Sequence, residues 1–321
     1  MIKNAIALAG AILIGALAAT PAAAQYPTKP IHIVINFPAG GATDAAARLL
    51  GQALTQSMGQ QVLVENRLGA DGAIAAEAVM KAAPDGYTVL LASNTAMMQV
   101  PLLRKKPPYS PITDFTPIVD VGRYLYVMVV DPALPAKSVA ELFAYARANP
   151  GKLNFGSFSS VGQLLYAQMR ASTKTDMALI PYKGEAPTVL EILGGRVHFT
   201  FATPASVLSH IKEGKLRPLA ILLPKRSALL PEVPTTVEAG MAPFSVETFV
   251  SLFGPPRMPR DIVMRLNKEF NAAMHLPGMR EQIERNGIAL TGSTPDELGS
   301  FVKQQLDAWG RAFREAGINP E

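Results

Sequence analysis

Short apolar runs alternate along this chain with segments of helical periodicity, and this alternation constrains the fold more than any other feature. The runs lie at residues 31–35, 62–64, 88–91, 125–130, 197–201 and 219–223. A strand that is apolar on both faces belongs inside a sheet covered by helices, because a solvent-exposed face would carry polar residues at alternate positions. We therefore expect an α/β protein with open, twisted, mostly parallel sheets and right-handed crossovers.

Helical segments are predicted between the strands, and three of them carry capping signals. Thr43 or Asp44 is expected to N-cap a helix that runs to about residue 58, and capping boxes are expected to begin helices at Ser138 and Thr294. Segments of this length can serve as the crossovers that parallel strands require. Further helices are predicted at residues 73–82, 161–173, 185–193, 204–213 and 260–275.

Residues 1–24 have the pattern of a secretory signal peptide. Lys3 supplies the positive charge, an apolar run follows at residues 5–19, and small residues precede the expected cleavage site after Ala24. The apolar run is shorter than the roughly 20 residues that a membrane-spanning helix needs. We expect export to the periplasm and cleavage after Ala24, and a retained membrane anchor is the alternative.

Composition and motif absence exclude several classes of protein. The sequence has no cysteine, so disulfides, lipid attachment at cysteine and thiolate metal sites are excluded. The formal net charge is +5 and the basic residues are scattered, which argues against nucleic-acid binding. The four histidines lack metal-ligand spacing, and no nucleophile elbow, Walker loop or dinucleotide fingerprint is present. We expect no metal, no cofactor and no enzymatic activity.

The segment 37–44, which joins the first strand to the first helix, is the strongest candidate site. The adjacent Gly40 and Gly41 let the backbone approach a ligand closely. The following helix points unpaired N–H groups and its positive dipole end into the turn, which favours an anion. Thr43 could add a hydroxyl donor, whereas Asp44 is expected to cap the helix or hold a water, because a bare carboxylate repels an anion. The alternative is an ordinary tight turn.

Two hydroxyl-rich junctions have the same strand-to-helix position. Ser93, Asn94 and Thr95 follow one predicted strand, and residues 157–160 precede the helix that starts near Val161. Each junction alone is more typical of a helix cap than of a ligand contact. Together they would offer neutral donors to a ligand held between two lobes.

Motifs along the whole chain after residue 25 resemble those of the periplasmic substrate-binding component of tripartite tricarboxylate transporters, the Bug/TctC-type proteins. Besides the segment 37–44, the matching motifs are Tyr26-Pro27-x-Lys29-Pro30, Val64-Glu65-Asn66-Arg67, Ala83-Pro84-Asp85-Gly86-Tyr87, Asp114-Phe115-x-Pro117, Pro150-Gly151-Lys152-Leu153, Pro181-Tyr182-Lys183-Gly184, Leu230-Pro231-x-Val233-Pro234-Thr235 and Glu238-Ala239-Gly240.

The resemblance implies a type II periplasmic-binding-protein fold, a two-lobed Venus flytrap with a mixed, mostly parallel sheet in each lobe. Residues 25–122 with 250–321 would form the first lobe and residues 123–249 the second, with hinges near 122–125 and 247–250. A small di- or tricarboxylate, or a related organic acid anion, would bind between the lobes. The loaded monomer would then deliver it to a membrane permease.

Three departures from the family pattern fall on the second lobe. The junction 157–163 is two residues shorter than usual, with Gln163 where histidine is common. Ala202 stands where many members carry aspartate, and Thr248-Phe249 replaces a frequent tryptophan. We expect Phe158, Gln163 and Phe249 to fit the pocket to a less highly charged or an aromatic acid.

Two other functions stay open at this point. A sensor that reports ligand to a membrane receptor would use the same fold, and an exported hydrolase or lyase could use Asp44 with Ser93 or Ser159. The predicted ligand-binding residues are Phe37, Pro38, Ala39, Gly40, Gly41, Ala42, Thr43, Asp44, Ser93, Asn94, Thr95, Ser157, Ser159, Ser160, Gln163, Ala202, Thr203 and Thr248.

Overall fold

The computed structural model describes residues 26–320, so the predicted signal peptide and its cleavage site lie outside the described residues. The strands are β1 (Ile31–Ile35), β2 (Val62–Asn66), β3 (Thr88–Ser93), β4 (Thr116–Tyr124), β5 (Val127–Val130), β6 (Leu153–Ser157), β7 (Met177–Pro181), β8 (Phe199–Ala202), β9 (Arg217–Ile221), β10 (Phe249–Gly254) and β11 (Ile288–Leu290).

Helices flank the strands. They are α1 (Ala42–Met58), α2 (Ala73–Met80), α3 (Val100–Leu103), α4 (Val139–Ala148), α5 (Ser160–Thr173), α6 (Glu185–Leu193), α7 (Pro204–Lys212), α8 (Arg260–Met274), α9 (Met279–Arg285) and α10 (Pro295–Glu315). A single 3-10 turn, Ala70–Gly72, precedes α2, and a π-helical turn, Thr95–Gln99, precedes α3. Within residues 26–320, no helix combines the length and the apolar character that a membrane crossing requires.

The strands form two sheets, and the molecule is two-lobed. The first has the order β11-β4-β10-β3-β1-β2 and the second the order β7-β6-β8-β5-β9. In the first sheet β10 and β11 run against the other strands, and in the second β5 does. The chain passes from β4 of the first sheet to β5 of the second, and it returns from β9 of the second sheet to β10 of the first. A chain that leaves one sheet at its carboxyl edge reaches the facing edge of the next, so its first strand there runs in the opposite direction.

The first sheet is buried on both faces, which explains its continuous apolar runs. Val34 and Leu90 belong to one hydrophobic cluster, whereas Ile33 and Val89 belong to another on the opposite face. Alternate residues of one strand thus reach two different layers of helices. Burial of each such side chain contributes roughly 1.5–3 kcal/mol, so a polar substitution at any of these positions would destabilise the lobe.

The predicted helices lie where the sequence analysis placed them, but the capping of two helix starts differs from the prediction. Thr294 and Glu297 form the expected reciprocal capping box. Ser138 caps its helix as expected, but the Glu141 carboxylate accepts from the backbone N–H of Lys137 instead of that of Ser138. The expected N-cap of α1, Thr43 or Asp44, is wrong: the N-cap is Gly41, which precedes these residues by two and three positions and has no side-chain cap.

Strands β4, β6, β7, β10 and β11 were not predicted, and β4 is the longest of them. The predicted strand at 125–130 is only the end of a longer path, in which β4 precedes β5. Strand β4 contains Pro117, Asp120, Gly122 and Arg123, whose polarity and turn propensity conceal it in the sequence. Asp120 and Arg123 pair with each other at 2.6 Å, and each also has a partner distant in the chain, Ser251 for Asp120 and Glu247 for Arg123.

Candidate functional site

The turn between β1 and α1 is held in place by Asp44. One carboxylate oxygen accepts hydrogen bonds from the Gly40 backbone N–H at 3.0 Å and from Arg48 Nε at 2.9 Å. The other accepts from Arg48 Nη2 and from Asn66 Nδ2, both at 2.9 Å. Asp44 therefore faces back into the turn from the first helical turn, which is why it does not cap the helix.

Arg48 neutralises the charge of the Asp44 carboxylate. The Arg48 guanidinium, followed in importance by the bonds from Gly40 and Asn66, lowers the pKa of the carboxyl group to about 2, against the opposing effect of burial. Since the carboxylate and the guanidinium form a bidentate pair, the turn gains a fixed shape without net negative charge. Asn66 also donates to the Phe37 carbonyl at 2.9 Å, so the same side chain holds both ends of the turn.

The middle of the turn is open to a ligand. Pro38, Ala39 and Gly40 are exposed, whereas Thr43 and Asp44 are buried. Gly40 has φ +83°, in the region that favours glycine, and no atom outside its neighbours lies within 4 Å of the position of an added Cβ. The backbone is accessible here beside the positive end of a 17-residue helix, an arrangement suited to a small anion.

Tyr124, at the end of β4, links several residues of the first lobe that the sequence predicted. Its hydroxyl lies 2.7 Å from Thr43 Oγ1. Its ring makes an edge contact with Phe37 at 6.4 Å between centroids. Burial raises the pKa of Tyr124, so the phenol stays neutral and available as a donor. Sequence reasoning missed Tyr124, because it lies in the missed strand.

Asn94 and Thr248 also lie beside this strand. Asn94 Oδ1 accepts from the Phe249 backbone N–H at 3.3 Å, and Thr248 Oγ1 lies 3.5 Å from the Tyr124 carbonyl. Thr95 is partly buried, and its backbone N–H donates to Ser93 Oγ. Asn94 and Thr248 thus join the returning chain to the first sheet.

The second lobe carries its own small pocket at the carboxyl end of β6. The Ser159 side chain N-caps α5 by accepting from the Gly162 backbone N–H, and Ser157 Oγ donates to the Ser159 carbonyl at 2.9 Å. Ser160 begins the helix, and its side chain lies outside what the structure describes. The pocket has a volume of about 10 Å³, room for one water, and Phe158 and Tyr126 are among its lining residues.

Gln163 faces a different and larger cavity. That cavity has a volume of about 680 Å³ and is lined from the first sheet's side by Gln99, Arg104, Lys105 and Lys106. The residues 37–44 line neither this cavity nor the second-lobe pocket. Of the predicted second-lobe residues, Ser157 and Ser159 line the small pocket, whereas Gln163 lines the larger cavity.

Ala202 and Thr203 lie at the carboxyl end of β8. Ala202 is fully buried, and Thr203 is the N-cap of α7 without using its side chain for the cap. The Thr203 backbone N–H donates instead to the carboxylate of Glu185, a residue that the sequence analysis did not single out. Phe249 is buried against Phe301, so its ring is part of the core and not of a pocket wall.

The chain matches a known family over most of its length. Residues 46–318 match the model of the tripartite tricarboxylate transporter family receptor, TctC. Protein BugT of Bordetella pertussis is 36% identical over 304 residues, which cover 94% of this chain and 93% of BugT.

Two solved structures from R. palustris are similar in fold and sequence. The protein Rpa4515, solved with adipate, is 31% identical with a TM-score of 0.79, and the match covers 92% of this chain and all of that one. MatC, solved with bound malate, is 27% identical with a TM-score of 0.72, and the match covers 89% and 99% of the two chains. The chain therefore belongs to the TctC family of periplasmic solute-binding receptors, which are not enzymes.

Proposed function

We propose that this chain captures a small organic acid anion between its two lobes and delivers it to the membrane permease of a tripartite tricarboxylate-type transporter. The observation that carries the proposal is the exposed turn 38–40 at the start of α1, which Asp44 and Arg48 fix without adding net charge. Backbone groups at a helix N-terminus are suited to one carboxylate. The adipate and malate in the two R. palustris structures support a carboxylate ligand.

Lobe closure would couple capture to delivery. The proposed first lobe is 25–122 with 250–321, and the second is 123–249. The segments between β4 and β5 and ahead of β10 are the proposed hinges, since the chain passes between the two sheets there. Closure would bring residues 37–44 and 157–163 onto one ligand, and a permease would recognise the closed form. We propose that the protein is exported, cleaved after Ala24 and monomeric.

A ligand screen tests this function directly. The mature protein, purified from periplasm, is analysed by native mass spectrometry and then by thermal shift with mono-, di- and tricarboxylates. A ligand at a hundredfold excess over its Kd adds about 2.7 kcal/mol to the free energy of unfolding, which a melting curve resolves. We expect one acid to co-purify unaltered and to raise the Tm. Conversion of the acid, or no shift with any carboxylate, would contradict the proposal.

The transport step requires a second test. Deletion of the gene should abolish uptake of the identified acid, and the purified protein should restore uptake in permease-containing spheroplasts. Unchanged uptake together with a lost transcriptional response to the acid would favour a sensor over a transport receptor.

A further inference from the structure

The cavity of about 680 Å³ that Gln163 lines is strongly basic. Arg104, Lys105 and Lys106, which follow α3, line it from the side of the first sheet, and Gln163 of α5 lines it from the side of the second. Asp71 is the one acidic residue among the described residues that line it, so three cations and one carboxylate leave a net charge of +2. The volume lies within the range of about 300–1,000 Å³ that is typical of small-molecule pockets.

The charge of Arg104 is already compensated. Its Nη2 donates to the Ala70 carbonyl at 3.1 Å and lies 3.6 Å from the Asp71 carboxylate. Both partners belong to the 3-10 turn that precedes α2. The one carboxylate of the lining is therefore paired with Arg104, and the excess positive charge of the cavity lies on Lys105 and Lys106.

Lys105 and Lys106 have no acidic partner. Both are exposed, so an ion in solution can reach them, and none of the ion pairs among residues 26–320 includes either one. Two like charges on adjacent residues repel each other, and an anion between them reverses the sign of the interaction. An anion with two or more negative charges neutralises both lysines, whereas a singly charged anion leaves one of them uncompensated.

The backbone that carries the two lysines is held at both ends. Arg104 anchors its start to the 3-10 turn, and beyond its end the buried Tyr109 hydroxyl donates to the Ala96 carbonyl at 2.7 Å. Pro107 and Pro108 lie in between, and a proline ring fixes its own φ and restricts the residue before it. Binding of an anion therefore orders the lysine side chains but little additional backbone, which lowers the entropic cost of binding.

We infer that this cavity is a second anion site, separate from the turn 38–40, for a small anion with two or three negative charges, such as a phosphate or a polycarboxylate. Lys105 and Lys106 supply the charge, and the Gln163 amide supplies a neutral donor. Because the lining comes from elements of both sheets, a bound anion contacts both and favours the arrangement in which they are close. The site goes beyond the proposed capture of an organic acid, since no residue of the turn lines the cavity.

The test measures anion binding by calorimetry, with pyrophosphate and with citrate, at low and at high salt. It compares the wild type with the double variant Lys105→Gln/Lys106→Gln and with the control Lys268→Gln/Lys303→Gln. The control removes the same charge from exposed lysines of α8 and α10 that do not line the cavity. Thermal shift with the series of mono-, di- and tricarboxylates reports on the fold and on organic-acid capture in all three proteins.

We expect the wild type and the control to bind at least one of the two anions with equal affinity, and more weakly as the salt concentration rises. The cavity variant should bind that anion about tenfold more weakly or worse, because two close positive charges are lost. The acid that raises the Tm of the wild type should still raise the Tm of both variants. The stronger ligand of the two anions distinguishes a phosphate site from a polycarboxylate site.

Three other results have separate meanings. No binding of either anion to the wild type, or equal affinities of the two double variants, would overturn the second site while organic-acid capture stands. Loss of anion binding together with the organic-acid shift in a folded cavity variant would mean that the two sites are one, which also overturns the inference. Anion binding that depends on the two lysines, with no shift by any acid, would contradict the proposed function alone.

Discussion

The hydroxyl oxygens of Thr43 and Tyr124 lie 2.7 Å apart, although the two residues are 81 positions apart in the chain. The bond joins the first turn of α1 to the last residue of β4, where the chain leaves the first sheet. The proposed anion-binding turn and the proposed hinge are therefore in direct contact, and a substitution at one should affect the other.

A double-mutant cycle tests this contact. Tyr124→Phe removes one hydroxyl and Thr43→Val removes the other. Each change should lower the free energy of unfolding by about 0.5–1.5 kcal/mol, because a buried polar group loses its partner. The double variant should lose less than the sum, with a coupling of about 0.5 kcal/mol or more. Urea denaturation measures the four proteins, and strict additivity would mean that the two hydroxyls do not interact.

Gly40 and Gly59 provide a matched pair at the two ends of α1. Both have positive φ, +83° and +70°, and neither has a neighbouring atom within 4 Å of an added Cβ. Substitution of either by alanine should therefore cost about 1 kcal/mol of stability. Only Gly40→Ala should weaken binding of the carboxylate ligand, since Gly59 lies at the far end of the helix. Equal affinities of the two variants, measured by calorimetry, would remove the turn from the site.

Asp44 should contribute to stability in a pH-dependent way. Its pKa is lowered to about 2 in the folded protein, chiefly by Arg48. The contribution is therefore fully present above the ordinary value of about 3.9 and is lost as the pH falls through about 2. Asp44→Asn should destabilise the protein by about 1.5–3 kcal/mol at neutral pH. Denaturation curves from pH 2 to pH 7 should show the two proteins converging at the acid end; a constant difference across this range would contradict the assignment.

Arg123 and Glu247 are expected to differ greatly in their effect on stability. Arg123 donates to Asp120 and to Glu247, each at 2.6 Å, and stacks 4.1 Å from the centre of the Phe301 ring. Burial raises the pKa of Asp120, so its carboxylate depends on Arg123 for compensation. Arg123→Met should cost about 3–5 kcal/mol, because it leaves this charge buried alone.

Glu247→Gln is the matched control for Arg123→Met. The Glu247 side chain is 46% exposed, and an exposed ion pair contributes only about 0–1 kcal/mol. Thermal unfolding of both variants measures the contrast. Similar losses from the two substitutions would mean that Asp120 is not the charge that Arg123 compensates.

The strand β1 and the helix α1 illustrate what local pattern can predict. The run at residues 31–35 coincides with β1, and the helix predicted to end near residue 58 does end there. In both elements the apolar residues are the buried ones, so the periodicity of apolar residues in the sequence indicates the element. The start of α1 was misassigned because Thr43 and Asp44 are good capping residues whose side chains have other partners. Thr43 pairs with Tyr124, and Asp44 pairs with Arg48 on the same helix and with the distant Asn66.

The amino-acid sequence by itself determined the α/β class, the family and the position of the turn that we propose as the anion site, since these depend on residues that are neighbours in the chain. Only the tertiary structure decided the roles of Tyr124 and Glu185. Tyr124 meets Thr43 across 81 positions, and Glu185 meets Thr203 across 18. Contacts of this kind depend on which strand ends share a sheet edge, and the burial and charge of each group follow from that placement.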